Sequence, residues 1–424
     1  MTKDSGDESE NGCQKDEEQP SVQLSFPDTG HASVHGWGFL PVVRRELGRM
    51  VSRPIYLVML VGLPIVSFGM LLSIFFQGSP QDLPVAVHDA DHSALSRQLI
   101  RMVDATPSIR ISGSVESLEQ GKSWIQSGKV YALLVISKDF EKWVLKGMRS
   151  KVIVYYNNQF LLPGSLIERD AARAVNAMSA DLNLRYRERS GEQPAAALTH
   201  IEPVRIEPHV LFNPYLNYLY FLLTALQPTI FQIFVITLTI YAAGVELKEG
   251  TARIWLTTAG DRVGTALIGK LLPYTLGFIL MAMAMQVVQS ACLNIPLQGN
   301  AVFLFASTCI FILAYQSMGL LIVAITANLR LSISMAAFYS GTAFAFSGVT
   351  FPTLSMPLIG QLWGYALPLT SYLKIVVDQT LRGAPVQVSL PFLGGLVLFV
   401  AVPLAVTLPR MKTVMQHPKY WGRL

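Results

Sequence analysis

Residues 271–329 read LLPYTLGFILMAMAMQVVQSACLNIPLQGNAVFLFASTCIFILAYQSMGLLIVAITANL and contain no Asp, Glu, Lys or Arg. The same four residue types are absent from 54–81, 208–245, 331–373 and 383–409. Only 14% of the 424 residues are charged, against about 25% in soluble domains. A soluble protein needs charge on its solvated faces. These runs therefore exclude a single soluble domain and indicate a polytopic membrane protein.

The apolar runs are long enough to cross a bilayer as helices. A hydrocarbon core takes about 20 apolar residues as helix, and a spanning segment must satisfy its backbone hydrogen bonds internally. Six transmembrane helices are predicted, at residues 55–76, 218–245, 271–292, 302–326, 331–351 and 390–409, the third to fifth together filling 271–351.

Lys and Arg residues beside the spans give the orientation, because they concentrate on the cytoplasmic side. They occur before the first span, between the second and third, between the fourth and fifth, and after the last: Arg44, Arg45, Arg49, Arg53; Lys248, Arg253, Arg262, Lys270; Arg330; Arg410, Lys412, Lys419, Arg423. Two predicted spans separate each of these places from the next, so all four lie on the same side of the membrane. Both termini are therefore expected in the cytoplasm.

The same topology leaves residues 77–217 outside the cytoplasm. Strands are predicted at 84–89, 109–112, 131–137 and 151–156, where β-branched and aromatic residues are concentrated. Helices are expected at 93–104, 115–127, 138–147 and 163–189. Strands that alternate with helices indicate a partly parallel sheet. The predicted fold class is a polytopic α-helical membrane protein of six spans with an inserted α/β extracytoplasmic domain.

Four further segments flank the spans. Residues 1–35 carry a strongly acidic start, which predicts a disordered cytoplasmic tail. Residues 36–54 mix aromatic and aliphatic side chains with four arginines, which predicts an amphipathic interfacial helix; the alternative is a plain basic flank. Residues 352–389 are apolar but broken by prolines, so two short re-entrant helices are expected. Residues 410–424 are expected to form a cytoplasmic tail.

The sequence contains little evidence for a catalytic or cofactor-binding site. GTALIGK (264–270) begins like a phosphate-binding loop, but Leu271 stands where Ser or Thr should bind magnesium. Lys270 is therefore predicted to be an interfacial anchor. No catalytic constellation is found, and His88 and His92 are expected to be solvated loop histidines. We therefore expect that the chain is not an enzyme, that it holds no metal or cofactor, and that it does not itself hydrolyse ATP.

The polar residues within the spans are uncharged. Gln227, Gln232, Gln286 and Gln316 are candidates for a translocation path, although hydrogen bonding between helices is the commoner role of such glutamines. Ion-coupled carriers usually hold charged residues in the membrane. Their absence from the predicted spans favours energy supplied by a separate subunit.

The longest predicted cytoplasmic loop is GVELKEGTARIWLTTAGDRVGTALIGK (244–270). Glu246 and Glu249 precede Gly250 and Thr251, and Arg253 stands in a short amphipathic segment. On physical grounds this segment is equally consistent with a docking surface for a cytoplasmic partner and with a simple connector.

Several motifs, in this order, resemble those of the ABC type-2 exporter permeases. GWGFLPVVRRELGRMVSRP (36–54) resembles the elbow helix of that family, and FNP (212–214) the start of its second span. ELKEGTARIWLTTAG (246–260) resembles its coupling loop. FSGVTFPTLSMP (346–357) and LPLTSYLKIVVDQTLRG (367–383) resemble the stretch after its fifth span and the re-entrant pair.

The resemblance implies a permease half, without cofactors of its own, that pairs with a second half as a homo- or heterodimer and with two cytoplasmic ABC ATPase subunits. Glu246, Glu249, Gly250 and Thr251 are the coupling residues that it implies, and Arg253 lies beside them. It also implies export of a small molecule, lipid or similar substrate through a bacterial inner membrane. A periplasmic adaptor and an outer-membrane channel are further candidate partners, whereas nucleic acid is not expected.

Departures from the family pattern leave the substrate open. Gln227–Pro228–Thr229 stands where relatives often have Pro-Gly, and Lys248 interrupts the acidic cluster. Two other functions remain as alternatives. One is a membrane-anchored extracytoplasmic binding or scaffold protein, for which six spans are more than an anchor needs. The other is an ion-coupled carrier, which the uncharged spans disfavour.

Overall fold

The computed structural model describes residues 38–146, 148, 150–159, 161–189, 211–213 and 217–422. The acidic tail predicted at 1–35 lies outside the described residues, as does Pro214 of the FNP motif. In chain order the helices are α1 Phe39–Ser52, α2 Pro54–Phe75, α3 Ala94–Asp104, α4 Leu118–Gln126, α5 Phe140–Leu145, α6 Leu161–Arg189, α7 Leu219–Lys248, α8 Ala252–Thr258, α9 Val263–Cys292, α10 Ala301–Thr326, α11 Leu329–Gly341, α12 Ala343–Phe346, α13 Leu358–Tyr365, α14 Pro368–Val377 and α15 Val386–Gln416.

Among the described residues, five helices are long and apolar enough to cross a membrane: α2, α7, α9, α10 and α15. The protein is therefore a multi-pass helical membrane protein, as predicted. The most apolar windows of α7 and α10 are 72% and 67% buried, whereas those of α2 and α15 are only 22% and 17% buried. Helices α7 and α10 thus form the centre of the bundle, and α2 and α15 its outer surface.

The segment predicted as the fifth span is interrupted. Helix α11 has 13 residues and gives way after Thr342 to the single turn of α12, which ends at Phe346. Ser347 donates its hydroxyl proton to the carbonyl of Phe344, and Gly348 takes a positive φ of 84°. Both features end a helix. The count of six spans stays a prediction, since α11 and α12 are each too short to cross alone.

A four-stranded sheet lies between α2 and α7. Its strands are β1 Leu83–Asp89, β2 Ile109–Ser114, β3 Ala132–Ile136 and β4 Val152–Tyr156, in the order β2-β1-β3-β4. Strand β1 is parallel to β2 and β3, and β4 is antiparallel to β3. Each strand overlaps a predicted one. Helices α3 and α6 bury Leu99 and Ile167 in one core of this sheet, and the ring of Trp124 in α4 packs against the other.

Helices α13 and α14 occupy the segment predicted to hold two re-entrant helices; their depth in a membrane stays a prediction. A wider helical turn, Asp378–Arg382, extends α14. The side chain of Gln379, fully buried, accepts a hydrogen bond from the backbone N–H of Asn300 at 2.9 Å and donates to the hydroxyl of Ser389 at 3.1 Å. These bonds tie the α14 end to the start of α10 and to α15.

Three predicted boundaries differ from the structure. The predicted loop 246–270 is shorter, because α7 continues to Lys248 and α9 already begins at Val263. The GTALIGK residues therefore belong to a helix from Gly264 onward and do not form the loop between a strand and a helix that a phosphate-binding loop requires. The predicted tail at 410–424 is also partly helical, since α15 runs to Gln416.

The predicted topology can be tested by labelling single cysteines with a membrane-impermeant maleimide in a variant without native cysteines. We expect Lys122→Cys in α4, which packs on the sheet, and Leu354→Cys after α12 to be labelled from outside the cell. Arg262→Cys and Lys412→Cys should be labelled only after permeabilisation, because the basic flanks stay in the cytoplasm. Labelling of position 354 only from inside would show that α11 and α12 do not cross the membrane.

Candidate functional site

Helix α1 has two distinct faces that meet the rest of the protein. Val42, Glu46 and Met50 recur every four residues and are all buried. Arg45 and Arg49 each precede a member of this row, Glu46 or Met50, by one position. Arg53 continues the same four-residue spacing just after α1, so the three arginines form a neighbouring row. Glu46 is 1% exposed. A carboxylate in an otherwise apolar row must have a partner, because an unpaired buried charge is very costly.

The partner of Glu46 is Lys270 in α9. Its ammonium nitrogen lies 2.7 Å from Oε2 of Glu46 and 2.9 Å from Oε1 of Glu246, and all three side chains are at most 1% exposed. The hydroxyl of Tyr274, one turn further along α9, donates to Oε1 of Glu46 at 2.6 Å. The ammonium also lies 4.9 Å from the centre of the Trp255 ring, which adds a cation–π contact.

Glu246, near the end of α7, is the centre of this network. Besides Lys270 it accepts hydrogen bonds from Arg45 at 2.9 Å, from Arg49 and from the hydroxyl of Thr251. Such charge-assisted bonds are roughly twice as strong as neutral ones. Four donors on one buried carboxylate compensate for its lost hydration. The carboxylate thereby joins α1, α7, α9 and the residue that precedes α8.

Glu249 lies at the exposed edge of the network. Its carboxylate lies 2.7 Å from Arg53 and 3.7 Å from Arg49. The hydrogen bond to Glu249 raises the pKa of the Arg53 guanidinium above its ordinary value. We call the seven residues the charge cluster: Glu46, Glu246 and Glu249 with Arg45, Arg49, Arg53 and Lys270.

Helix α8 is fixed to the charge cluster by its start and by its buried face. Gly250 takes a positive φ of 70°, which lets the chain turn sharply between α7 and α8. The backbone N–H of Thr251 donates to the carbonyl of Glu246 at 2.9 Å. Trp255 is fully buried and its indole N–H donates to the carbonyl of Ala266 in α9 at 3.0 Å. The opposite face of α8 is exposed.

The structure thus brings together four of the five residues predicted for coupling. Glu246, Glu249, Gly250 and Thr251 form the turn at the charge cluster, whereas Arg253 points to solvent on α8. The prediction that Lys270 is an interfacial anchor was wrong, because α9 begins eight residues earlier than predicted and its Lys270 ammonium is buried against Glu46 and Glu246. Glu46 and Tyr274 were not predicted. The four-residue period of Val42, Glu46 and Met50 was the signal that could have identified Glu46.

The four glutamines predicted for a translocation path each contact a neighbouring helix. Gln227 Nε2 lies 3.2 Å from the sulfur of Met285, and Gln232 donates to the carbonyl of Ser340. Gln286 donates to Thr308 at 2.9 Å, and Gln316 accepts from Thr275 at 2.9 Å. These bonds fit the role of interhelical contacts. A part in translocation stays a prediction.

Comparison with known families identifies the chain. The pattern of a family described as ABC-2 family transporter protein matches residues 54–408, which include α7, α8, α9 and therefore Glu246, Thr251 and Lys270. The chain belongs to this ABC-2 transporter family. It is a permease component, which is not itself catalytic. Helix α1, with Glu46 and the arginines, precedes the matched range. No curated protein matches the chain.

Loss of the lysine should destabilise the protein strongly. In Lys270→Met the carboxylates of Glu46 and Glu246 would stay buried without their shared cation. We expect a loss of about 3–5 kcal/mol in the free energy of unfolding, measured by denaturant titration of the purified protein in detergent micelles. Lys248→Met removes an exposed lysine and should change the stability by no more than about 0.5 kcal/mol. Equal effects of both variants would contradict the described network.

Proposed function

We propose that the protein is one permease half of an ATP-driven exporter in a bacterial inner membrane. It works with a second permease half and with cytoplasmic ATPase subunits that bind α8. The charge cluster carries the movement of α8 to the spans. Both termini are cytoplasmic, and the sheet between α2 and α7 lies outside the cytoplasm. Membership of the ABC-2 family supports the permease role, and the basic residues beside the spans support this orientation.

One observation carries the proposal: α8 is exposed on one face, and its other side is bonded to α9 and to the end of α7. Arg253 and Ile254 face solvent, and Ile254 is 52% exposed. The buried face holds Trp255, which is bonded to α9. An exposed aliphatic side chain beside a cation suits a cleft on the partner that is apolar inside and acidic at its edge.

The charge cluster makes transmission from α8 efficient because it resists separation. Pulling Lys270 away from Glu46 and Glu246 would leave charges buried without partners, which costs several kcal/mol. Packed cores of this kind are also poorly compressible. A displacement of α8 therefore moves α1, the end of α7 and the start of α9 together as a rigid unit. The spans then rotate and open the path outward.

The path itself lies between the two permease halves in this proposal, with Gln227, Gln232, Gln286 and Gln316 as candidate polar positions. Their uncharged amides suit a small molecule or a lipid better than an ion. Helices α2 and α15 present the most exposed apolar surface of the bundle, which suits contact with lipid and with the second half. The sheet is the proposed contact for a periplasmic adaptor, which would continue to an outer-membrane channel.

The two alternatives have less support. A scaffold protein has no use for a solvent-facing helix that is bonded to a buried ion network. An ion-coupled carrier would place its charges along the transport path. Glu246 and Lys270 instead lie at the ends of α7 and α9 and neutralise each other.

Site-specific photo-crosslinking tests the docking of the ATPase. Benzoylphenylalanine at position 254 should crosslink, in native membranes, to a subunit that is photolabelled by azido-ATP, because Ile254 lies on the exposed face of α8. The matched control is benzoylphenylalanine at Ile268, which is 62% exposed but lies in α9. We expect no such crosslink there. An ATP-labelled product of equal yield at both positions, or at neither, would contradict the proposed contact.

A further inference from the structure

The chain turns back on itself after α15. The helix ends at Gln416, and a tight turn at Pro418–Tyr420 reverses the chain. Proline suits this point because it supplies the first residue of a helical turn and has no N–H to satisfy. Gly422 follows with a positive φ of 69°, a conformation that glycine adopts freely. We call residues 417–422 the C-terminal hook.

The hook reaches the end of α7, beside the charge cluster. The backbone N–H of Gly422 donates to the carbonyl of Leu247 at 3.0 Å. Leu247 directly follows Glu246 and lies in the last turn of α7, where carbonyl groups have no partner within the helix. The same carbonyl accepts a longer bond, 3.3 Å, from the N–H of Gly250. The hook thus supplies one of the hydrogen bonds that hold the turn between α7 and α8.

The hook is itself firmly attached to the bundle. The indole N–H of Trp421 donates to the carbonyl of Val414 at 3.2 Å. The guanidinium of Arg410 lies 5.2 Å from the centre of the Tyr420 ring, and its Nε donates to the carbonyl of Ala324 in the last turn of α10. Met411, Val414 and Met415 on this part of α15 are fully buried. The hook therefore connects the ends of α7, α10 and α15.

We propose that the C-terminal hook is a positioning element for the coupling turn, and that it holds α8 in the orientation in which the ATPase subunit binds. This inference rests on the proposed function. Residues 246–251 carry the contact with the hook, the bonds of Glu246 and Glu249 in the charge cluster and the bond of Thr251 to Glu246, so freedom in this turn would be transmitted to α8. The family match ends at residue 408, so the hook lies outside the pattern that defines the family.

A matched pair of variants tests the attachment of the hook at Gly422. Gly422→Pro removes the N–H that binds the Leu247 carbonyl, and its ring cannot adopt a positive φ. Gly422→Asn keeps the N–H, and Asn tolerates the left-handed conformation better than other side chains. No atom lies within 4 Å of a Cβ at this position, so the Asn side chain has room.

Hydrogen exchange of the purified full chain measures the consequence. In Gly422→Pro we expect the amides of Glu249, Thr251 and Trp255 to exchange about fivefold faster than in the wild type, as the loss of one hydrogen bond implies. In Gly422→Asn the same three amides should exchange as slowly as in the wild type. The amides of Gln298 and Gly299, which bond to the α14 end, should be unchanged in both variants because they lie away from the hook.

A second measurement connects the hook to docking. The crosslink from position 254 to the ATP-labelled subunit should fall severalfold in Gly422→Pro and stay at the wild-type yield in Gly422→Asn. Unchanged exchange in Gly422→Pro, equal exchange in the two variants, or faster exchange without a loss of crosslinking would each overturn the positioning role. If the wild type gives no ATP-labelled crosslink but exchange changes as expected, the proposed function fails while the hold of the hook on the coupling turn stands.

Discussion

The ammonium group of Lys270, held between the carboxylates of Glu46 and Glu246, is the interaction on which this end of the bundle depends. Lys270 and Glu46 are 224 positions apart in the sequence, so their contact fixes α1 against α9. Removing the ion would leave two carboxylates buried side by side, and their repulsion would add to the cost of lost hydration. The hydroxyl of Tyr274 and the guanidinium groups of Arg45 and Arg49 satisfy the remaining acceptor positions. Taking these charges out of water costs free energy when the protein folds, and removing one partner would cost more because the others would stay buried without a counter-charge. Only one arrangement of α1, α7 and α9 brings all the partners together.

On the proposed function, the transporter needs a stiff connection between the helix that binds the ATPase and the spans, and the charge cluster lies at this connection. Helix α8 faces solvent on one side, and its other side is bonded to α9 through Trp255 and to the end of α7 through Thr251. On the proposed function, movement of an ATPase subunit reaches α8 first. The C-terminal hook adds a separate hydrogen bond to the same turn. In contrast, α2 and α15 present most of their apolar surface to their surroundings.

The sequence predicts the broad fold well and the charge cluster poorly. Runs without charge locate the long helices because their apolar length is set by the bilayer, and local β-branched content locates β1 to β4. The segment predicted as the fifth span is interrupted, because the chain leaves the helical conformation at Ser347 and Gly348, whereas composition alone would continue the helix. Lys270 was misread because a lysine before an apolar run usually marks an interface, and only the tertiary position of Glu46 reverses that meaning. Arg45 and Arg49 were predicted to belong to an amphipathic interfacial helix, and their bonds to Glu246 follow only from the tertiary structure. The Gly422 bond depends on backbone geometry that no residue pattern records.

The coupling energy between Glu46 and Lys270 is the most direct measure of this account. It is obtained from the free energies of unfolding of the wild type, Glu46→Gln, Lys270→Met and the double variant, all in the same detergent. Groups in one buried ion network interact by up to about 3 kcal/mol, and we expect the double variant to be more stable by at least about 1.5 kcal/mol than the sum of the single losses implies. Losses that add to within about 0.5 kcal/mol would show that the two side chains act independently, and the pair of Glu46 and Lys270 could not then be the interaction on which this end of the bundle depends.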